Sequence, residues 1–139
     1  MSKKGPIILV DDDLDECKLI QEVLEKTGIP NKLVCYTSGL EALGYLETTT
    51  EQPFLIIADI NMPVMGGLEL RQKISEHAEL TSKAIPFIFL TTSATPSAVK
   101  EAYRLSVQGF FEKQNTIDEI SSLLKLIYEY WSRCHHPNN

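Results

Sequence analysis

The stretch LIIADINMPVMGG, residues 55–67, decides the fold. Four apolar residues run straight into a carboxylate, Asp59, and then into Asn61, Pro63 and the pair Gly66-Gly67. A short apolar run bounded by turn residues reads as a strand buried on both faces, the kind found in parallel sheets covered by helices. A charge at the end of such a strand is costly unless it serves something. Asp59 is therefore the first candidate functional residue.

Working outward, the same alternation recurs. Pro6–Val10, Lys32–Tyr36, Phe54–Ala58, Phe87–Leu90 and Gly109–Phe111 read as five strands. Between them lie helical patterns with start and stop signals. Asp13–Thr27 has Asp13 to cap it, Glu16 at the capping-box position, Cys17, Ile20 and Leu24 on one face, and Gly28 to close it. Ser38 with Glu41 opens a second helix to about Leu46, and Leu68–His77 forms a third. Thr95-Pro96 is an N-cap followed by proline at the first helical position, opening a helix to about Leu105. Thr116 with Glu119 caps a last helix whose apolar face holds Ile117, Ile120, Leu123, Leu124, Ile127, Tyr130 and Trp131. Five strand–helix units imply one doubly wound α/β domain with five helices and right-handed crossovers. Ligands in such folds sit at the carboxyl ends of the strands.

Composition narrows the classes. At 139 residues and 43% hydrophobic, the chain is long enough for one core and reads as a single domain over 1–139. No apolar stretch is long enough to span a bilayer, so no membrane association is expected. The apolar run Pro6–Val10 is too short for a secretory signal, which predicts a cytoplasmic protein. Cys17, Cys35 and Cys134 make an odd count with no paired framework, an expectation of free thiols in a reducing compartment. A net charge of −6 argues against direct nucleic-acid binding.

The strand ends gather the chemistry. The first ends in Asp11-Asp12-Asp13, the third in Asp59, the fourth in Thr91-Thr92, and the fifth leads into Lys113. If the first and third strands are neighbours, carboxylates converge. Two of them about 4 Å apart repel by roughly 4 kcal/mol at an effective dielectric of 20. Such a cluster takes up protons or binds a cation, and hard oxygen ligands suit Mg²⁺. A nearby lysine and hydroxyl would suit phosphoryl oxygens, and a carboxylate can attack phosphorus to form an acyl phosphate.

These residues resemble the receiver domain of bacterial two-component response regulators, over about residues 5–133. The resemblance rests on the acidic run after strand one, the DINMPVMGG loop, the threonine after strand four, the aromatic on strand five and the lysine beyond it. It implies a flavodoxin-like five-stranded parallel sheet of order 2-1-3-4-5. It implies a stand-alone phosphoacceptor switch, not a turnover enzyme, with no output domain. Asp59 would be the phosphoacceptor, and Mg²⁺ would bind Asp12 and Asp59 directly, Asp11 through water and Asn61 through its backbone carbonyl. Thr91 and Lys113 would contact the phosphoryl group, and Thr91 with Phe110 would form the switch. The implied partners are a sensor histidine kinase or a phosphotransfer protein upstream and another protein downstream, with the receiver a monomer or weak dimer. The chain departs from the family in two places. Lys113 is followed by Gln114 where the family has a proline preceded by a cis bond, and a trans bond is expected here because a non-prolyl cis bond costs about 2.5–4 kcal/mol. The switch aromatic is Phe110, which lacks the tyrosine hydroxyl.

Other readings fit the residues less well. A flavodoxin-like cofactor binder would need phosphate donors where the acidic run stands. An aspartyl phosphatase would want a D-x-D loop and a cap domain. An unphosphorylated scaffold would not need the acidic pair, Asp59, Thr91 and Lys113 together. The acidic run imitates a Ca²⁺ loop, but Glu16 occupies the position that requires glycine. Asp13 reads as a helix cap, Cys134-His135-His136 as a frayed tail with metal binding as the alternative, and Tyr128, Tyr130 and Trp131 as helix packing with a partner surface as the alternative.

Overall fold

The computed structural model describes residues 2–137. After a 3₁₀ turn at Ser2–Lys4, the elements run β1 (Ile7–Val10), α1 (Leu14–Thr27), β2 (Leu33–Tyr36), α2 (Gly39–Thr48), β3 (Leu55–Ala58), α3 (Gly67–Glu76), α4 (Ala78–Lys83), β4 (Phe87–Thr91), α5 (Pro96–Arg104), β5 (Gly109–Glu112) and α6 (Ile117–Arg133). All pairings are parallel, in the order β2-β1-β3-β4-β5. The strand order reverses between β1 and β3, which places the acidic strand ends side by side.

Period-two alternation divides the core into two layers. Ile8, Val10, Ile56, Ala58, Phe87 and Phe89 point toward α2, α3, α4 and α5. Ile7, Leu9, Leu55, Ile57, Ile88 and Leu90 point toward α1 and α6. β1, β3 and β4 are fully buried, whereas both edge strands, β2 and β5, keep partly exposed residues.

The caps form largely as the sequence implies. Ser38, Thr95 and Thr116 accept the N–H of the residue three places on, and Gly28 closes α1 in the left-handed region at φ 76°. One capping box does not close. The Asp13 N–H donates to Asp11 Oδ1 at 2.9 Å rather than to Glu16.

Three expectations are corrected. Among the described residues there are six α-helices, not five: α4 follows α3 after a turn at His77, whose Nδ1 accepts the Leu80 N–H at 3.4 Å. The Thr81 hydroxyl ties α4 to α3 by donating to Ile74 O at 3.0 Å. The expectation of unpaired cysteines fails for two of them. Cys17 on α1 and Cys35 on β2 form a disulfide with Cα atoms 6.4 Å apart, because α1 packs over the edge of the sheet and brings the two side chains together. The tail is not frayed: His136 is buried, stacks on Phe54 with centroids 5.7 Å apart, and bonds Phe54 O through Nε2 at 2.8 Å. The aromatic cluster of α6 divides. Tyr128 and Trp131 pack on the α1/α6 core, while Tyr130 stands exposed with its ring against Trp131.

Candidate functional site

Asp11, Asp59, Thr91 and Lys113 are each the last residue of a strand or the first beyond it, and each is still held by the ladder. Asp11 N donates to Tyr36 O at 2.9 Å, Asp59 N to Val10 O at 2.9 Å, and Lys113 N to Thr91 O at 3.0 Å. The main chain therefore fixes these positions independently of the side-chain contacts.

The side chains then converge. The Thr91 hydroxyl, completely buried, donates to Asp59 Oδ1 at 2.6 Å. The Lys113 ammonium lies 3.2 Å from Asp59 Oδ2 and 2.9 Å from Asp11 Oδ2, so one cation bridges two carboxylates. Asp11, Asp12 and Asp59 each present a carboxylate oxygen within 4.8 Å of the others. Asp11 is buried and Asp12 is exposed, so the cluster opens to solvent on the Asp12 side. Such a set of hard oxygen donors fits Mg²⁺ or a similar divalent ion that retains some of its water.

Electrostatics follow from this crowding. Burial pushes the Asp11 carboxyl up, and the hydrogen bond from Lys113 offsets only part of that effect. Burial alone would lower Lys113, but its contacts with Asp11 and Asp59 outweigh it and hold the ammonium above the ordinary lysine value. Glu16 is also pushed up by burial, with the Lys113 charge opposing and Asp11 reinforcing the shift. Sequence reasoning gave Glu16 only a capping role. Its place one turn beyond the acidic run was the signal that it could face the site.

The loop after β3 has reasons for its composition. A Cβ on Gly67 would lie 2.2 Å from Asp59 O and 2.7 Å from the Phe89 ring, and one on Gly66 would lie 2.4 Å from Ile60 O. Val64, two residues before Gly66, adopts φ 67° with 82% of its surface exposed, a strained conformation for a β-branched residue. The Asn61 side-chain amide donates to Ser93 Oγ, a partner the sequence did not suggest, and this bond joins the loops after β3 and β4. Phe110 is half-buried against Phe89, with ring centroids 5.8 Å apart. No cis peptide bond occurs among the described residues, so Lys113-Gln114 is trans and the ammonium still reaches Asp59. Cys134, His135 and His136 join no cluster of metal-ligating side chains among the described residues. No helix among them is long and apolar enough to cross a membrane.

Comparison with known proteins agrees with this geometry. A family model described as the response regulator receiver domain matches residues 7–125. The chain is similar to response regulator Rcp1 of Synechocystis sp., with 31% identity over 130 residues, 90% of this chain and 87% of that protein. Among solved structures it is similar to the phosphorylated cyanobacterial phytochrome response regulator RcpA (TM-score 0.83, 30% identity, 94% of each chain). It is also similar to the Mn²⁺-bound form of Rcp1 (TM-score 0.80, 29% identity, 94% of this chain and 95% of that one).

Proposed function

The chain belongs to the response regulator receiver family, a family of phosphorylatable signalling switches, and from that premise we propose that Asp59 accepts the phosphoryl group in a reaction that uses Mg²⁺. The observation that carries this reading is the convergence on Asp59 of a hydroxyl, an ammonium and two further carboxylates. A phosphoacceptor needs those same neighbours: donors for phosphoryl oxygens and hard ligands for a cation.

Asp11, Asp12 and Asp59, with the backbone carbonyl of Asn61, would hold Mg²⁺, Asp11 acting through water. Once bound, such an ion would supply positive charge to offset that of the phosphoryl oxygens and the carboxylates. The donor would be the phosphohistidine of a sensor kinase or a phosphotransfer protein. One Asp59 oxygen forms the new O–P bond as the P–N bond breaks. The electron pair stays with the imidazole nitrogen, which takes a proton from solvent. Lys113, retained by Asp11, then faces the phosphoryl oxygens. The Thr91 hydroxyl turns from Asp59 Oδ1 to one of them.

Displacement of Thr91 frees space beside Phe110. We infer that Phe110 moves inward against Phe89, and that the surface of α5, β5 and α6 changes with it. Phosphorylation shifts this equilibrium only by the difference in its contacts between the two states. The receiver unit is proposed to run over about residues 5–133. It works as a phosphoacceptor switch that signals to another protein or passes the phosphoryl group onward.

The test is incubation with acetyl phosphate followed by intact mass. An adduct of about 80 Da, one phosphoryl group, is expected with Mg²⁺ and not with chelator, and not in Asp59→Asn. An adduct that survives the substitution overturns the assignment.

A further inference from the structure

The Cys17–Cys35 bridge has no part in phosphoryl chemistry, yet it sits astride the acidic loop. Cys35 pairs with Leu9 in the sheet, and the next residue, Tyr36, accepts the Asp11 N–H through its carbonyl at 2.9 Å. On the other flank, the Cys17 N–H donates to Asp13 O at 3.3 Å. The loop of Asp11, Asp12 and Asp13 is thus held at one end by the residue after Cys35 and at the other by Cys17 itself. The disulfide joins Cys17, the second anchor, to Cys35, the chain neighbour of the first. Both cysteines are only partly buried, on an edge strand and on the helix that overlies it. A thiol can reach them without unfolding of the core, which is the condition for exchange.

We propose that Cys17 and Cys35 form a reversible redox staple whose closure tightens the divalent-cation site at Asp11, Asp12 and Asp59. The proposal rests on the metal-site reading above. In closing, one cysteine thiolate attacks a sulfur of a small-molecule disulfide of the glutathione class, forming a mixed disulfide and releasing one thiolate. The second cysteine thiolate attacks the mixed disulfide at the protein sulfur and releases the other thiol. The protein pair is oxidised by two electrons, its two protons leave to solvent or to the released thiolates, and the oxidant is reduced to two thiols. Closure removes freedom from the loop before the cation arrives, so less ordering remains to be done on binding.

The experiment uses Cys134→Ser, which leaves only the two bridging cysteines. The protein is equilibrated with oxidised glutathione or with a phosphine reductant, and Mg²⁺ binding is measured by calorimetry in each state. Intact mass reports the bridge as a loss of about 2 Da on oxidation, the two thiol hydrogens. The expected result is bridge formation and an Mg²⁺ affinity higher by about threefold or more in the oxidised state, the scale of fixing one or two mobile groups. In Cys35→Ser on the same background, the difference between the two conditions disappears. Failure of the bridge to form, equal affinities in the two states, or a difference that persists in Cys35→Ser overturns the proposal. Bridge formation with no Mg²⁺ binding in either state overturns the metal-site reading itself and this inference with it.

Discussion

The Thr91 hydroxyl and the Asp59 carboxylate meet at 2.6 Å, with Thr91 fully buried and Asp59 nearly so. The contact joins β4 to the residue after β3. Thr91→Ala leaves Asp59 Oδ1 without this donor and is expected to lower unfolding free energy by about 1–3 kcal/mol. Thr91→Ser keeps the hydroxyl and is expected to lose less. Urea unfolding of both variants in metal-free buffer checks this, and equal losses would show that the methyl group, not the hydroxyl, carries the effect.

Two glycines have opposite expectations. Gly67→Ala drives a methyl group into the carbonyl of Asp59 and is expected to cost about 1–3 kcal/mol or more, because the obstacle is backbone. Gly44 lies inside α2 with nothing within 4 Å of a built Cβ. Gly44→Ala is expected to stabilise by about 0.5–1 kcal/mol through helix propensity. Thermal unfolding of the pair gives both signs in one experiment.

Val64 holds φ 67° with nothing packed on most of its side chain. Asparagine tolerates that region far better than valine. Val64→Asn is expected to raise stability by about 1 kcal/mol, measured as a shift of the denaturant midpoint at constant slope.

Alkaline pH engages Tyr45 on α2. Burial, together with the Glu51 carboxylate that accepts its hydroxyl proton at 2.9 Å, pushes Tyr45 up to about 12 from an ordinary 10.0. A raised value means the folded state keeps its proton longer than the unfolded chain. The contribution is complete below pH 10 and is lost as pH rises toward 12. Tyr45→Phe is expected to flatten the fall in stability across that window. Lys113, also raised, contributes a fall of the same sign that the substitution leaves in place.

Reduction of the Cys17–Cys35 bridge reopens a segment with a sequence separation of 18. Loop-closure entropy sets the expected loss at about 3 kcal/mol. Thermal melts with and without reductant, in the presence of chelator, measure this term apart from any effect of the cation.

The strands and caps were legible because each rests on local chemistry: apolar runs for β1, β3 and β4, and short side-chain acceptors at Ser38, Thr95 and Thr116. The convergence of Asp11, Asp59, Thr91 and Lys113 was legible because parallel strands place their carboxyl ends together. Helix α4 was not, since its six residues carry one buried apolar side chain, Leu80, and its cap is a histidine. The bridge was hidden because residues 17 and 35 meet only through the packing of α1 on the sheet, which spacing along the chain does not encode. The docking of His136 depends on a carbonyl at Phe54, 82 residues away in sequence.

The course of α6 has a spectroscopic consequence. The helix begins just past Lys113 and carries the single tryptophan, Trp131, fourteen residues beyond Ile117. At 1.5 Å per residue that is about 21 Å along the helix axis. Trp131 rests on the α1/α6 layer, whereas Phe110 and Phe89 lie in the other. Native emission from this indole reports the far pole of the molecule. A fluorophore meant to watch Asp59 belongs in the opposite layer, where Phe110→Trp would put one beside Phe89.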